Sequence, residues 1–216
     1  MKQGQLIVIE GIDGAGKTTQ IELLKQALAS RARPCEAISF PRYEDNIYGK
    51  LIKRYLEGEF GSIDQVNPYL LALAFAGDRL LAKPKIEKWL AEGKTVLVNR
   101  YVSSSKAHLG ANLPNDKKED FLKWLDELEY QTNDLPKEDL TILLNIDPEM
   151  GQKNVLGRNT DLHEENLKHL EQAGKIYLEL AKQETNWYVT SCMTDGKMKS
   201  LEDIHQEIKQ VLYDKI

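Results

Sequence analysis

Short apolar runs alternate along the chain with longer stretches in which apolar residues recur every three or four positions. The runs are Gln5–Glu10, Cys35–Phe40, Thr95–Asn99, Thr141–Asn145 and Trp187–Ser191, mostly apolar and rich in valine or isoleucine. A run without polar alternation has no face to offer water, so it predicts a strand covered on both sides, as in a parallel sheet. Between the runs, Ile21, Leu24 and Leu28 form one helical stripe. Leu167, Leu170, Ala173, Tyr177, Leu180 and Ala181 form a second, and Ile204, Ile208, Val211 and Leu212 a third. A further apolar helix is expected over Tyr69–Leu81. Strand and helix in alternation predict an α/β fold: a five-stranded parallel sheet with helices on both faces and right-handed crossovers. No repeat or linker divides the chain, so residues 1–216 read as a single domain. The polar span Gly151–Asn166 breaks the pattern and reads as an exposed loop or short helical flap.

Composition narrows the partners. At 216 residues, 41% hydrophobic and 29% charged, the chain can bury a core without disulfides or a structural metal. A net charge of −5 argues against nucleic acid as a partner. The longest apolar run, Tyr69–Ala76, is far short of the roughly 20 residues a membrane span needs. The amino terminus shows no signal peptide, and Cys35 and Cys192 are too few and too far apart for a disulfide framework. A cytoplasmic location and small buried thiols are the expectation.

The strongest motif begins where the first run ends. Gly11-Ile-Asp-Gly-Ala-Gly-Lys-Thr18 matches G-x-x-x-x-G-K-[ST], between a strand and a helix candidate, and predicts a P-loop NTPase fold. Glycines let successive N–H groups turn inward to phosphate oxygens, and the following helix amino terminus adds positive potential. Gly11, Asp13, Gly14, Ala15, Gly16, Lys17, Thr18 and Thr19 are therefore assigned to ATP. Lys17 reaches the β and γ phosphates, and the Thr18 hydroxyl ligates Mg²⁺. The motif leaves the acceptor open.

Arginine is scarce, with 7 arginines against 22 lysines, and four of the seven stand at candidate site positions. Arg42 and Arg100 follow the second and third strands, on the sheet edge that carries the phosphate turn. Arg79 lies four residues after Phe75 on one helix face, and Arg158 lies in the flap. A guanidinium forks onto phosphate or carbonyl oxygen in two bonds, which an ammonium cannot do.

Taken together, IVIEGIDGAGKTTQ, FPRY, FAGDR, NRYVSSSKAH and DLHEENLKHL…YLELA resemble the thymidylate kinase family in order and spacing over nearly the whole chain. The resemblance implies phosphoryl transfer from ATP to dTMP, giving ADP and dTDP for dTTP synthesis, with Mg²⁺, by a homodimer. It implies Asp13 on the sugar 3′-hydroxyl, Phe75 stacked on thymine and Arg79 on a base carbonyl. Arg42 and Arg100 would hold the acceptor phosphate, with Phe40, Pro41, Asn99, Ser104, Ser105 and His108 lining the acceptor site. The acceptor oxygen is already an anion, so no general base is assigned. Catalysis falls to Lys17, Arg100 and a further cation. Some relatives carry that cation as an arginine in the phosphate turn, where this chain has Gly14; others deliver it from the flap, where Arg158 is the candidate. Asn99 stands where an aspartate is common, and a second flap arginine is missing beside Asp161 and Glu164. The loop Cys192–Lys199 is expected to flank adenine.

Two other readings stay open. A kinase of the same fold could act on a deoxynucleoside or another monophosphate; a hydroxyl acceptor would need a base, for which Glu10 and Glu44 are candidates. A P-loop protein could also bind nucleotide without transferring phosphate, which Asn99 makes conceivable.

Overall fold

The computed structural model describes residues 4–155 and 161–216. Five parallel strands stand in the order β2-β3-β1-β4-β5: β1 (Gln5–Glu10), β2 (Cys35–Ser39), β3 (Thr95–Asn99), β4 (Leu140–Asn145) and β5 (Trp187–Ser191). The five expected runs are these strands, with ends that shift by at most one residue. Phe40 leaves β2 although its N–H still donates to the Asn99 carbonyl at 2.9 Å, because Pro41 has no N–H with which to continue the ladder.

Strand β1 shows why its apolar run has no polar alternation. Leu6 and Val8 join a core with Ala82, Ile86 and Trp89 of helix α3 (Pro68–Ala91). Ile7 and Ile9 join another with residues of α1 (Lys17–Ser30), α7 (Leu167–Gln183) and α8 (Leu201–Lys215). Successive side chains thus enter opposite cores. A third cluster, with Ile52, Tyr55, Leu71, Leu109 and Phe121, joins α3 to α2 (Ile47–Leu56), α4 (Val102–Gly110) and α5 (Asn115–Asp126). A π-helical turn, Glu127–Thr132, continues α5.

Three elements differ from expectation. The helix expected over Tyr69–Leu81 runs on through Pro84 to Ala91, where amphipathic spacing replaces the apolar run and Ile86 and Trp89 are buried. The flap's first five residues belong to α6 (Pro148–Val155), and Gly151 is buried rather than exposed. Gly151 packs against the phosphate turn: a Cβ there would meet the Asp13 carbonyl oxygen at 2.6 Å. After the described residues resume, Asp161 Oδ1 accepts from the N–H groups of His163 (2.9 Å) and Glu164 (3.0 Å). Glu164 Oε2 accepts from Asp161 N–H at 3.1 Å, which makes a reciprocal capping box at this turn. Arg158 lies outside the described residues. An unexpected hairpin, β6 (Met193–Thr194) with β7 (Lys197–Met198), turns through Asp195-Gly196, both with positive φ. Among the described residues, no helix is long and apolar enough to cross a membrane.

Candidate active site

The carboxyl ends of β1 and β3 set two functional turns side by side. After Glu10 the chain enters the phosphate turn, and Gly16 takes a left-handed conformation (φ 87°) to start α1. Gly14 (φ 76°) has no room for a Cβ, which would collide with the Gly151 carbonyl of α6. The Lys17 ammonium donates to the carbonyls of Gly11 (2.9 Å) and Ile12 (2.8 Å) and lies buried across the turn. Burial, with the nearby Arg100 guanidinium, pushes it down to about 7.

After Asn99, Arg100 adopts φ 63°, a left-handed backbone that costs a side-chain-bearing residue roughly 1–2 kcal/mol. This turn aims its guanidinium at Asp13, with Nη1 also reaching Ser104 Oγ (3.2 Å) and His108 Nε2 (2.9 Å). Burial alone would raise the Asp13 carboxyl, but Arg100 and Lys17 override it and hold it below the usual carboxylate range.

Two pockets meet at this pair. One, beside the phosphate turn, is lined by Gly14, Gly16, Lys17, Thr18, Thr19, Asn99, Asn154, Val155, Glu164, Met198 and Leu201. The other is lined by Pro41, Tyr43, Leu56, Phe75, Ser104, Ser105, His108, Leu109, Asp161 and His163. Among the described residues, only Asp13 and Arg100 line both.

The structure brings many of the expected site residues together. The phosphate turn is together, and Pro41, Phe75, Ser104, Ser105 and His108 share the second pocket. Met198, from the loop expected near adenine, lines the first, while Cys192 is wholly buried with its thiol pushed up to about 11 by burial. Four residues stand elsewhere. Phe40 is a core residue, 6.1 Å from the Tyr101 ring. Asn99 faces the phosphate-turn pocket, where its Nδ2 donates to Thr18 Oγ at 3.2 Å. Arg42 does not line the second pocket, because the buried Asp78 holds it: Nε donates to Oδ1 at 2.9 Å and Nη2 to the Asp78 carbonyl at 2.6 Å. Arg79 is fully buried and paired with Glu129 of the π-helical turn. It reaches the pocket wall only through Ser105 Oγ, to which Nη2 donates at 2.7 Å.

Neither candidate base for a hydroxyl acceptor, Glu10 or Glu44, lines a pocket at this site. Glu10 is wholly buried and accepts from Tyr101 N–H (2.9 Å), Ser104 N–H (3.1 Å), Ser104 Oγ (2.6 Å) and Tyr177 OH (2.9 Å). It anchors the start of α4. Glu44 is exposed and pairs with Lys53.

Sequence reasoning missed Tyr43, Leu56, His163 of the flap turn and His169 of α7. His108, His163 and His169 come together from three segments, and one ring nitrogen from each lies within 4.8 Å of the other two. Nothing in the spacing of 108, 163 and 169 announces this, since an irregular turn sits between the last two. Burial holds all three rings neutral: His163 is pushed down to about 3 and His169 to about 4, and His108 well below its ordinary value of 6.5. His163 faces Tyr55, His108, His169, Arg100, Asp13 and Asp161. An unfolded chain therefore takes up a proton at His163 near its ordinary 6.5, which the folded chain refuses until about 3. Stability falls as pH drops through this window. In urea denaturation from pH 6 to 4, wild type is expected to lose stability more steeply than His163→Gln, by roughly 1 kcal/mol per pH unit.

The comparisons with known proteins agree with this geometry. A family model described as thymidylate kinase matches residues 9–208. Thymidylate kinase of Homo sapiens is 33% identical over 220 residues, covering 100% of this chain and 92% of that one. The Mycobacterium tuberculosis enzyme is 31% identical, covering 82% of this chain and 86% of its own. A probable thymidylate kinase of Pyrobaculum aerophilum is 37% identical, with coverages of 82% and 83%. The solved structure of Candida albicans thymidylate kinase shares the fold, with TM-score 0.80 and 23% identity over 98% of this chain and 92% of that one. With the family model spanning both the phosphate turn and the wall of the second pocket, the chain belongs to the thymidylate kinase family.

Proposed function

We propose that this chain transfers the γ-phosphoryl group of ATP to dTMP, giving ADP and dTDP, as a step in dTTP synthesis. The observation that carries the reading is the shared Asp13–Arg100 wall between a P-loop pocket and a second pocket lined by Phe75, Ser104, Ser105 and His108. Two polyanions would meet end to end there, with a guanidinium at the junction.

The roles follow from chemistry. The turn's N–H groups and Lys17 hold the ATP phosphates. Phe75 offers a π face to the base, and Asp13 an acceptor to the sugar hydroxyl. Arg100 holds the acceptor phosphate in line with the donor. Arg42 would join it only by leaving Asp78. No group needs to remove a proton from a phosphate oxygen that is already anionic, which suits the commitment of Glu10 elsewhere. A hydrated Mg²⁺ fits beside Thr18: Asn99 Oδ1 is buried and has no hydrogen-bond partner, so it can accept from metal-bound water. Such an ion neutralises developing charge on the donor phosphates. The exposed apolar strip of Ile47, Leu51, Leu70, Leu73, Leu80 and Leu81 supports a second copy of the chain as partner.

A coupled assay for ADP release decides the acceptor. With ATP, dTMP is expected to turn over, while thymidine and CMP do not and dUMP is slower. Release with thymidine alone, or with none of the four, overturns the reading. Phe75→Ala is expected to raise KM for dTMP about 5–150-fold, as loss of a base-stacking contact of ~1–3 kcal/mol implies, with KM for ATP unchanged.

A further inference from the structure

Beneath Arg100 three of the chain's four histidines meet, and we propose that His169 is a positioning residue that fixes Arg100 through His108. The inference rests on the reading of Arg100 as the junction between the two substrates, and it concerns a residue that touches neither pocket. His169 is 4% exposed and lines neither cavity.

Hydrogen-bond chemistry gives the contacts one direction. A guanidinium only donates, so His108 Nε2, 2.9 Å from Arg100 Nη1, presents its lone pair. The single proton of that neutral ring is then on Nδ1. This atom lies 3.2 Å from His169 Nε2, which must accept. His169 in turn carries its proton on Nδ1, and Asn112 Oδ1 accepts it at 2.8 Å. The relay Arg100 → His108 → His169 → Asn112 leaves no ring nitrogen with a second choice. An imidazolium at either position would set two donors face to face. Asn112 follows α4, so the relay ties Arg100 to the end of α4 and the start of α7. His163 stacks on His108 with centroids 5.5 Å apart and planes 5° apart, and its ring also packs on His169, with centroids 4.4 Å apart.

Three imidazoles at this separation also suggest a metal site, but His108 argues against it. Its Nε2 lone pair is used by Arg100, and its Nδ1 carries the proton. A metal on Nδ1 would turn an Nε2–H toward the guanidinium, so the ring could ligate only by releasing Arg100.

Three variants and one spectrum test the relay. His169→Phe keeps a ring but removes the acceptor. His169→Gln keeps the polarity, since its amide oxygen accepts from His108 and its NH₂ donates to Asn112. A small displacement of a positioned group is costly, so His169→Phe is expected to lower kcat about tenfold with KM for ATP unchanged, and His169→Gln to restore most of it. Asn112→Ala, which frees the far end, is expected to fall between. In ¹⁵N-histidine NMR of the wild type, His108 and His169 should both be neutral and protonated on Nδ1. Equal losses in His169→Phe and His169→Gln would overturn the relay, as would an Nε2-protonated His108. Micromolar Zn²⁺ binding lost in His169→Phe would replace the relay with a metal centre. The spectrum needs no turnover, so it reads the relay even if His169→Phe does not fold. Absence of wild-type activity on dTMP would strike the assigned reaction instead.

Discussion

Replacing Arg100 by alanine is expected to lower kcat for dTMP by about 10²–10³, the cost of removing a charged donor from a preorganised site. The residue lines both pockets and makes three polar contacts, to Asp13, Ser104 and His108, that no neighbour can take over. Arg100→Lys should recover little, because an ammonium cannot span those three acceptors at once. Stability separates from activity at this position. Its backbone is left-handed, and Arg100→Gly removes the Cβ that makes such a conformation costly. Arg100→Gly should therefore be as inactive as the alanine variant but more stable than it by roughly 1 kcal/mol. Steady-state kinetics alongside thermal unfolding of the two variants checks this. Activity above a tenth of wild type in Arg100→Ala would remove the residue from its role at the junction.

The parts of this molecule that were legible in sequence are those where one strong local constraint acts alone. A strand buried on both faces must be apolar throughout, and β1 and β3 read so plainly because each feeds two cores. A phosphate turn needs its glycines in a fixed frame. What sequence concealed are choices between competing partners. Arg42 and Arg79 occupy family motif positions, yet Asp78 and Glu129, distant in sequence from them or from the pocket, claim their guanidinium groups. Glu129 sits in a π-helical turn, where an extra residue per turn re-aims side chains in a way that helical periodicity does not forecast. The histidine cluster was hidden for the same reason: it depends on where an irregular turn places His163 against α4. The Asp195-Gly196 hairpin is different, since the turn signal was present but strands of two residues carry no alternation to draw notice.

The cation that completes charge stabilisation has two possible sources, and the packing of α6 closes one of them. Gly14 has left-handed φ, and any Cβ there strikes the Gly151 carbonyl. Moving α6 away would uncover Val155 and Asn154, which help to form the phosphate-turn pocket. An arginine in the turn is thus incompatible with this arrangement, which leaves the flap. In the span 151–166, histidine aside, the cations are Lys153 and Arg158. Lys153 is exposed on α6 and absent from both pocket linings. Arg158→Ala is accordingly expected to lower kcat about 10²–10³-fold, with little change in dTMP affinity, as loss of a group acting mainly on transition-state charge requires. Gly14→Arg should not rescue it; alone, that substitution should lower both the melting temperature and turnover, because the side chain arrives where a backbone carbonyl already stands. Single-turnover rates and dTMP titrations on the two single variants and the double variant separate the effects. Unchanged turnover in Arg158→Ala removes that arginine from the mechanism, and rescue by Gly14→Arg would mean that α6 yields more readily than its contact with the turn allows.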